Sequence, residues 1–310
     1  MRCSRQSYRL KPSSSLLAMR KQGGMALMFA VLIVIIASTL AVSVVYEGKF
    51  TIRKIGRIQS MDRAALYSYG FEDWARIYLK KDREDSKIDS LDEDWALGIP
   101  GLPIEGGYLA GYFEDEQSRF NLNSLLDSQL AVTRFERLCD NLEVEKTFIP
   151  ALMDWIDPDF DVRYPDGAEE HYETYRVANR FMADVTELLL VQHVTPEIFY
   201  KLKPYITALP DSTTININTM SEVIFESLGE GLDASKFIEE REEEPFESVQ
   251  AFIERLQAPI PIEGLSVDSK YFKAYGQVVQ GDVSYTMASL MYRDAKGTSS
   301  IINRNLERFQ

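Results

Sequence analysis

The chain has 310 residues, 45% of them hydrophobic, and can therefore bury a substantial core in more than one structural unit. Residues 1–24 contain six basic residues and no acidic ones, so this segment carries a charge of +6 and the remaining chain one of −20. A body this acidic repels the phosphates of nucleic acids and of anionic lipids, and it tolerates basic partners or divalent cations.

The first predicted element is a membrane-spanning helix from Met25 to Val45, a run of 21 residues without a charge. About 20 apolar residues in a helix cross a hydrocarbon core of roughly 30 Å. The segment before this run is strongly basic and the segment after it is mixed, which places the N-terminus in the cytoplasm. The sequence thus predicts a single-pass inner-membrane protein with a periplasmic body.

Three interpretations of this N-terminus compete. A secretory signal peptide would have a shorter apolar stretch and a small-residue cleavage site, which Val45-Tyr46-Glu47-Gly48 does not provide. A plain membrane anchor fits well. The junction Arg20-Lys21-Gln22-Gly23-Gly24-Met25, however, resembles the type IV prepilin processing site, where a prepilin peptidase cuts after Gly and methylates the new N-terminus. The resemblance implies a leader of residues 1–24 and a cut between Gly24 and Met25.

Most pilins and pseudopilins carry Glu at the fifth position of the mature chain, which is Phe29 here. An ionised carboxylate inside the bilayer is costly unless it is paired, and in a pilus the N-terminal amine of an adjacent subunit pairs with it. A subunit at the tip has no subunit ahead of it to supply that amine. An apolar Phe29 therefore fits a tip subunit and resembles the K pseudopilins of type II secretion; the alternative is that the chain is not a pilin at all.

Beyond the membrane, apolar residues spaced by three and four predict that the helix continues to about Lys80. The charged stretch Lys81–Asp94 predicts a solvated loop. Residues 106–123 contain aromatic and β-favouring residues in rough alternation, which predicts a hairpin. This stretch includes the letters RFNLN, which are similar to a segment that follows the early strands of K pseudopilins.

From residue 125 to about 263 the pattern is helical, and Thr195 and Thr219 are predicted as N-caps. The candidate helices span residues 128–142, 146–156, 181–192, 195–203, 219–228, 233–242 and 246–257. After Leu265 the sequence predicts three strands, with turns at Gly281-Asp282 and Lys296-Gly297.

Strands that flank a mostly helical block resemble the layout of the K pseudopilins. The resemblance implies an α+β fold, in which a long N-terminal helix joins an antiparallel pilin-like head that carries a large inserted all-α domain. The implied parts are a leader (1–24), the transmembrane part of the helix (25–45), the rest of the helix with the first strands (46–123), the inserted helical domain (124–264) and the C-terminal strands (265–310).

Seven carboxylates lie within 17 residues, from Asp154 to Glu170. Their repulsion must be screened, and calcium, with about six to eight oxygen ligands, can do this. The spacing resembles the start of an EF-hand, but Val162 and Ala168 replace that motif's Gly and Glu. The alternative is a solvated turn without an ion. A zinc site is not expected, because the two histidines, His171 and His193, are too few and too isolated. A disulfide framework is not implied either, because the two cysteines, Cys3 and Cys139, are far apart in sequence.

The K pseudopilins have a similar acidic run, associated with calcium, and four residues here match it: Asp157, Asp159, Glu169 and Glu170. Asp161 and Asp166 join the predicted ligand set on local geometry alone. The resemblance implies a structural calcium site in the loop 154–170, and it continues through the letters YRVAN at residues 175–179.

Residues 215–256 resemble a helix-hairpin-helix module, which in DNA-binding proteins holds phosphate through a Gly-rich hairpin. Here the hairpin Gly229-Glu230-Gly231-Leu232-Asp233 is acidic, and residues 239–244 add five glutamates around Arg241. Coulomb repulsion opposes phosphate binding, so nucleic-acid binding is only a remote alternative. The K pseudopilins use a similar segment as structure.

The sequence therefore predicts a minor pseudopilin at the tip of the type II secretion pseudopilus, which initiates or caps assembly. By resemblance its partners are the minor pseudopilins I and J and the prepilin peptidase. A minor pilin-like adhesin, whose helical domain binds an extracellular ligand, is the alternative from another class. No nucleophile–base pair or phosphate-binding loop indicates an enzyme.

Overall fold

The computed structural model describes residues 23–168, 172, 176–257 and 259–307. The chain divides into two compact units, Met1–Ile58 and Gln59–Gln310. The described residues form eight α-helices: α1 (Gly23–Asp85), α2 (Asp94–Leu97), α3 (Gln129–Asn141), α4 (Ile149–Ile156), α5 (Pro196–Leu202), α6 (Glu222–Ser227), α7 (Ala234–Glu243) and α8 (Val249–Leu256). They also form nine strands: β1 (Ile99–Ile104), β2 (Gly107–Asp115), β3 (Phe120–Asn121), β4 (Ile206–Thr207), β5 (Ile215–Asn216), β6 (Leu265–Ser266), β7 (Tyr271–Gln280), β8 (Val283–Arg293) and β9 (Ser299–Glu307).

The described part of the first unit is the N-terminal portion of α1. Its residues from 24 to 58 are exposed throughout, and the most apolar stretch of the helix reaches a mean hydropathy of 2.8. Among the described residues, α1 is the one helix long and apolar enough to cross a membrane. The predicted continuation of this helix past the apolar run is confirmed, since α1 extends without a break to Asp85.

The second unit is built on a five-stranded antiparallel sheet with the strand order β1-β2-β7-β8-β9. Strands β2 and β7 pair along almost their whole length, although residues 116–270 separate them in sequence. This intervening segment, called the helical insert below, contains α3 to α8 and two short parallel strand pairs, β3 with β4 and β5 with β6. The predicted α+β fold class is confirmed.

The part of α1 in the second unit lies on one face of the sheet. Its buried residues follow a helical spacing of four and three, which places them on one side: Ala64, Ser68, Phe71, Ala75 and Leu79. Phe71 rests on two glycines that pair across β2 and β7, Gly111 and Gly276. A Cβ atom at Gly111 would lie 2.3 Å from the Phe71 ring, and one at Gly276 would lie 2.8 Å from it. The two glycines therefore form a socket for the ring.

The helical insert has a hydrophobic core of its own, separate from the one under α1. Its centre is a cluster of aromatic rings contributed by α6, α7, α8 and the turn before α8: Phe225, Phe237, Phe246 and Phe252. The rings of Phe225 and Phe237 stack with centroids 4.3 Å apart, and the Phe246 ring lies parallel to that of Phe237 with centroids 6.4 Å apart. The Phe252 ring meets all three edge to face. The helix-hairpin-helix resemblance thus corresponds to a packed aromatic core.

The two edge strands of the sheet differ in composition. Strand β1 contains Pro100 and Pro103, is mostly exposed and shifts register between Ile99 and Leu102. Strand β9 has no proline, but its register with β8 shifts between Leu290 and Met291.

Two sequence predictions near the first strands are wrong. Lys81–Asp94 is not a solvated loop, because α1 continues to Asp85 and the Asp89 carboxylate is buried against Arg293. Residues 106–123 do not form a hairpin by themselves. The hairpin consists of β1 and β2, and the chain leaves the sheet after Asp115.

Six of the seven predicted helices of the insert are confirmed, with ends shifted by a few residues. The exception is 181–192, where the structure has a shorter 3-10 helix, Val185–Leu190. Thr195 caps α5, as predicted, by accepting a hydrogen bond from the Ile198 amide. Thr219 does not cap α6: Ser221 does, and the Thr219 hydroxyl donates instead to buried Asp115.

Candidate functional site

The predicted processing junction lies at the start of α1. Gly24, Met25 and Phe29 belong to the helix, and the side chains of Met25 and Phe29 are exposed. Residues 1–22, which make up most of the predicted leader, lie outside the described residues. The cut between Gly24 and Met25 stays a prediction.

The base of the acidic loop is organised by Asp154, a fully buried residue in the last turn of α4. Its carboxylate accepts hydrogen bonds from the backbone amides of Arg163 (3.2 Å) and Ala168 (2.9 Å) and from the Arg163 guanidinium (3.1 Å). A Cβ atom at Gly167 would lie 2.3 Å from Asp154 Oδ2, so only glycine allows the chain to approach this closely. All these contacts fold the loop back onto α4, which makes Asp154 a structural residue.

Asp157 is the most buried of the predicted metal ligands that the structure describes. The Arg163 guanidinium binds its Oδ2 atom, while Oδ1 is buried and has no hydrogen-bond partner among the described residues. Burial raises the pKa of Asp157, and the hydrogen bond and charge of Arg163 oppose this rise. A buried carboxylate oxygen without a partner is costly, and a cation ligated by it would remove that cost.

The other predicted ligands are more open. Asp159, Asp161 and Asp166 are exposed, and Asp159 Oδ1 accepts a hydrogen bond of 2.8 Å from the Asp161 amide. Glu169 and Glu170 lie outside the described residues. Within the described part of the loop, no three carboxylates lie within 4.8 Å of one another, so the structure does not gather the predicted ligand set around one point.

Sequence reasoning missed two residues that bind this loop, one within it and one after it. Arg163 is the only basic residue between Asp154 and Glu170, and it neutralises part of the repulsion that the acidic run implies. Asn179 donates from Nδ2 to the Asp159 carbonyl at 2.6 Å, and its Oδ1 is buried without a partner among the described residues. The lone arginine was the available signal for the first, and the YRVAN letters for the second.

A second acidic group lies in the sheet unit, where ligand atoms of Asp82, Asp89 and Glu93 come within 4.8 Å of one another. Arg293 binds Asp82 at 2.8 Å and Asp89 at 2.6 Å, while Glu93 accepts from the Ser90 amide and the Trp95 indole. Because protein donors already satisfy these carboxylates, the group holds the chain after α1 against the end of β8. Burial, together with the charges of Glu93 and Asp89, raises the pKa of Asp82 to about 7 from an ordinary value of 3.8, against the opposing charge of Arg293.

This shift predicts an unusual pH dependence of stability. A carboxyl whose folded pKa lies above its unfolded value binds protons more tightly in the folded state, so its contribution is complete below about pH 4 and is lost as the pH rises through about 7. Between pH 5 and pH 8 we expect the free energy of unfolding to fall by on the order of 1 kcal/mol through Asp82. Urea denaturation of the wild type and of Asp82→Asn at both pH values measures the difference. If the free energy of unfolding changed equally between pH 5 and pH 8 in both proteins, the assignment to Asp82 would be contradicted.

The fold and these sites define a class of protein. An apolar helix at the N-terminus whose later part packs on an antiparallel sheet is the pilin-like architecture, and here a helical insert with its own core separates β2 from β7. This combination is typical of a pseudopilin with an enlarged head.

Comparison with known proteins narrows the class to one family. Models of "Type II secretion system (T2SS), protein K" match residues 118–211 and 215–270. The chain is 27% identical over 313 residues to the type II secretion system protein K of Pseudomonas aeruginosa, covering 93% of each chain. It is 30% identical over 228 residues to that of Pectobacterium carotovorum, covering 65% of this chain and 68% of the relative.

A solved structure agrees with these relatives. The crystal structure of the GspK-GspI-GspJ complex from the enterotoxigenic Escherichia coli type 2 secretion system contains a chain with a TM-score of 0.74 and 28% identity. The match covers 81% of this chain and 98% of that one. The protein therefore belongs to the protein K family of type II secretion systems. Its role is that of a minor pseudopilin, a structural component of the secretion apparatus.

Proposed function

We propose that this protein assembles with the minor pseudopilins I and J and stands at the tip of the type II secretion pseudopilus. The observation that carries the proposal is the fold match to a chain of the GspK-GspI-GspJ complex, which extends over 98% of that chain. The helical insert adds bulk to the head, and a head of this size would block the addition of a further subunit above it. The protein would then initiate or cap the pseudopilus rather than extend it, and it would have no catalytic activity of its own.

The residue at position 29 supports the tip location. A pilin carboxylate at the fifth mature position needs the amine of a subunit ahead of it, because an unpaired charge inside the bilayer is costly. Phe29 needs no such partner. This argument presumes the proposed processing, in which the prepilin peptidase removes residues 1–24 and methylates Met25 as the new first residue, while the head remains on the periplasmic side of the inner membrane.

The test of this function is assembly with the I and J pseudopilins of the same secretion system. We expect co-expressed full-length chains to co-purify from detergent as a complex of all three, with the K-type chain lacking residues 1–24 by mass spectrometry. Replacement of Gly24 by Val should leave the leader uncut. Purification of the processed chain alone, under conditions in which I and J bind each other, would contradict the proposed assembly.

We further propose that the acidic loop binds calcium as a structural ion. The residues that would hold it are the six predicted carboxylates: Asp157, Asp159, Asp161, Asp166, Glu169 and Glu170. The buried Oδ1 atom of Asp157, which has no hydrogen-bond partner among the described residues, supports the fit. Bound calcium would supply the positive charge that this run of carboxylates lacks. Arg163 would then either bind Asp157 together with the calcium ion or release Asp157 to the ion.

Calcium binding predicts a shift in thermal stability. At a calcium concentration about 100 times the dissociation constant, binding to the folded state alone contributes about 2.7 kcal/mol, which for a head of this size raises the melting temperature by roughly 5–10 °C. The double variant Asp157→Ala with Asp159→Ala should lose this shift. Asp282→Ala, which removes an exposed aspartate in the turn between β7 and β8, should keep it. Identical melts of the wild type with millimolar calcium and with chelator would contradict the proposal.

A further inference from the structure

The chain leaves the sheet for the helical insert at Asp115, the last residue of β2. This carboxylate is buried, with 4% of the residue exposed, and no basic side chain pairs with it among the described residues. A buried carboxylate is stable only if it is paired or fully hydrogen-bonded. Asp115 is stabilised by hydrogen bonds, and all of its donors are neutral.

Four donors converge on Asp115. The Gln117 amide donates to Oδ1 at 2.8 Å, and three side chains donate to Oδ2: Asn216 at 3.0 Å, Thr219 at 2.6 Å and Ser269 at 2.6 Å. Gln117 lies in the turn that follows β2. Asn216 and Thr219 belong to the middle of the insert, and Ser269 stands two residues before β7, where the chain returns to the sheet. One carboxylate thus binds the first residues of the insert, its interior and its last residues.

The same donors connect Asp115 to the acidic group at the end of α1. Asn216 Nδ2 also donates to the Asp89 carbonyl at 3.0 Å, and the Ser269 amide donates to the Asp89 carboxylate at 2.7 Å. The Ser269 carbonyl accepts from Arg293 at 2.9 Å, and Arg293 binds Asp82 on α1. A continuous buried network therefore runs from α1 through Arg293 and Ser269 to the interior of the insert.

The short strands of the insert do not extend the sheet. The strand pairs that close the insert, β3 with β4 and β5 with β6, are two residues long, and β3 to β6 do not belong to the five-stranded sheet. Hydrogen bonds to an ionised acceptor are stronger and more directional than neutral ones. Other bonds also join the insert to the sheet, such as Arg119 to Glu114 and Tyr271 to Asp211, but at Asp115 donors from three segments meet on one acceptor.

We propose that Asp115 is an orientation lock, which uses donors from three separate segments to hold the helical insert at one angle to the sheet. The proposal rests on the fold and not on the tip location, so it can fail or succeed independently of the proposed function. The proposal concerns orientation as well as stability. Loss of a donor should widen the range of angles between the insert and the sheet while each part stays folded.

The experiment measures the distance between the two parts in the full-length chain in detergent. Spin labels are placed at exposed positions of α7 and β8 by Ser235→Cys and Ser284→Cys, in a Cys3→Ser background in which buried Cys139 remains unlabelled. Pulsed electron paramagnetic resonance then gives the distribution of distances between the labels. Circular dichroism on the same samples reports whether each variant remains folded.

We expect Thr219→Val and Asp115→Asn to widen the distance distribution at least twofold, because each leaves Oδ2 or its donors unmatched. Thr219→Ser, which keeps the hydroxyl, should leave the width of the distribution as in the wild type. Thr133→Val is the matched control, since the Thr133 hydroxyl on α3 donates to the Gln129 carbonyl of its own helix and makes no hydrogen bond to the sheet among the described residues. If Asp115→Asn does not fold, Thr219→Val and Ser269→Ala decide. Distributions as narrow as that of Thr133→Val in folded Thr219→Val and Ser269→Ala, whatever their melting temperatures, would overturn the proposal.

Discussion

Replacement of Arg293 by Met is expected to lower the free energy of unfolding of the head by about 3–5 kcal/mol. The Arg293 side chain is 1% exposed and donates to Asp82, to both oxygens of Asp89 and to the Ser269 carbonyl. Its guanidinium also lies 4.6 Å from the centre of the Phe272 ring. Methionine fills much of the volume but leaves the Asp89 carboxylate buried without its countercharge, which is among the costliest states of a protein interior.

The measurement is urea denaturation at pH 8, where both aspartates are ionised in the unfolded chain. The matched control is Arg76→Met on α1, since Arg76 pairs with an exposed Asp73 at 3.1 Å and such surface pairs contribute about 0–1 kcal/mol. If Arg293→Met cost no more than Arg76→Met, Arg293 would not be the countercharge that stabilises this group. Addition of Asp89→Asn to Arg293→Met should recover part of the loss, because it removes the unpaired charge.

The second large effect is expected from Phe71→Ala, with a loss of about 3–5 kcal/mol. Phe71 is 3% exposed and fills the socket over Gly111 and Gly276, where it also contacts the rings of Trp74 and Phe113. Alanine at position 71 leaves a cavity that the sheet cannot close, because a pleated sheet with paired strands on both sides has little freedom to collapse.

Tyr69→Ala is the control for Phe71, as Tyr69 lies on the same helix but is 46% exposed. A complementary change tests the socket from the other side: Gly111→Ala places a Cβ atom at 2.3 Å from the ring and should destabilise the head by about 1–3 kcal/mol. Since the socket makes the two positions interdependent, Gly111→Ala should cost less in the Phe71→Ala background than in the wild type. Strict additivity of the two losses would contradict direct packing of Phe71 on Gly111.

Patterns that repeat along the chain predicted the repeating parts of the fold. The apolar run from Met25 gave the start of α1, and turn residues such as Gly281 and Gly297, both at positive φ, marked the ends of β7 and β8. Helical spacing located most helices of the insert for the same reason. These signals are local, so one sequence is enough to detect them.

Contacts between distant residues could not be predicted in this way. Lys81–Asp94 is rich in charge and therefore resembles a solvated loop, but its Asp89 is buried by an arginine 204 residues later in the sequence. Thr219 carries the local features of an N-cap, yet Asp115, 104 residues earlier, takes its hydroxyl and leaves the cap to Ser221. In both cases a buried carboxylate recruits its partners through the tertiary fold, which a local pattern does not contain.

The acidic loop lies between these two extremes. Its charge and its family resemblance predict a cation site in this segment, and that site stays a prediction. Among the described residues, the structure adds a buried oxygen of Asp157 that has no hydrogen-bond partner. The role of Arg163 was missed because the count of acids concealed a cation within the same loop. Electrostatic arguments from sequence are more reliable when every charge of a segment is counted.

The edge strands of the sheet have a consequence for how two heads can meet. Pro100 and Pro103 remove two amide donors from β1, and the register shift in β9 interrupts the regular row of free backbone groups on the opposite side. Neither border is therefore a good template for another chain to extend the sheet by main-chain pairing. Aggregation of heads through their sheet edges is therefore disfavoured. Recognition of other subunits then depends on side chains, which can discriminate between a correct and an incorrect neighbour.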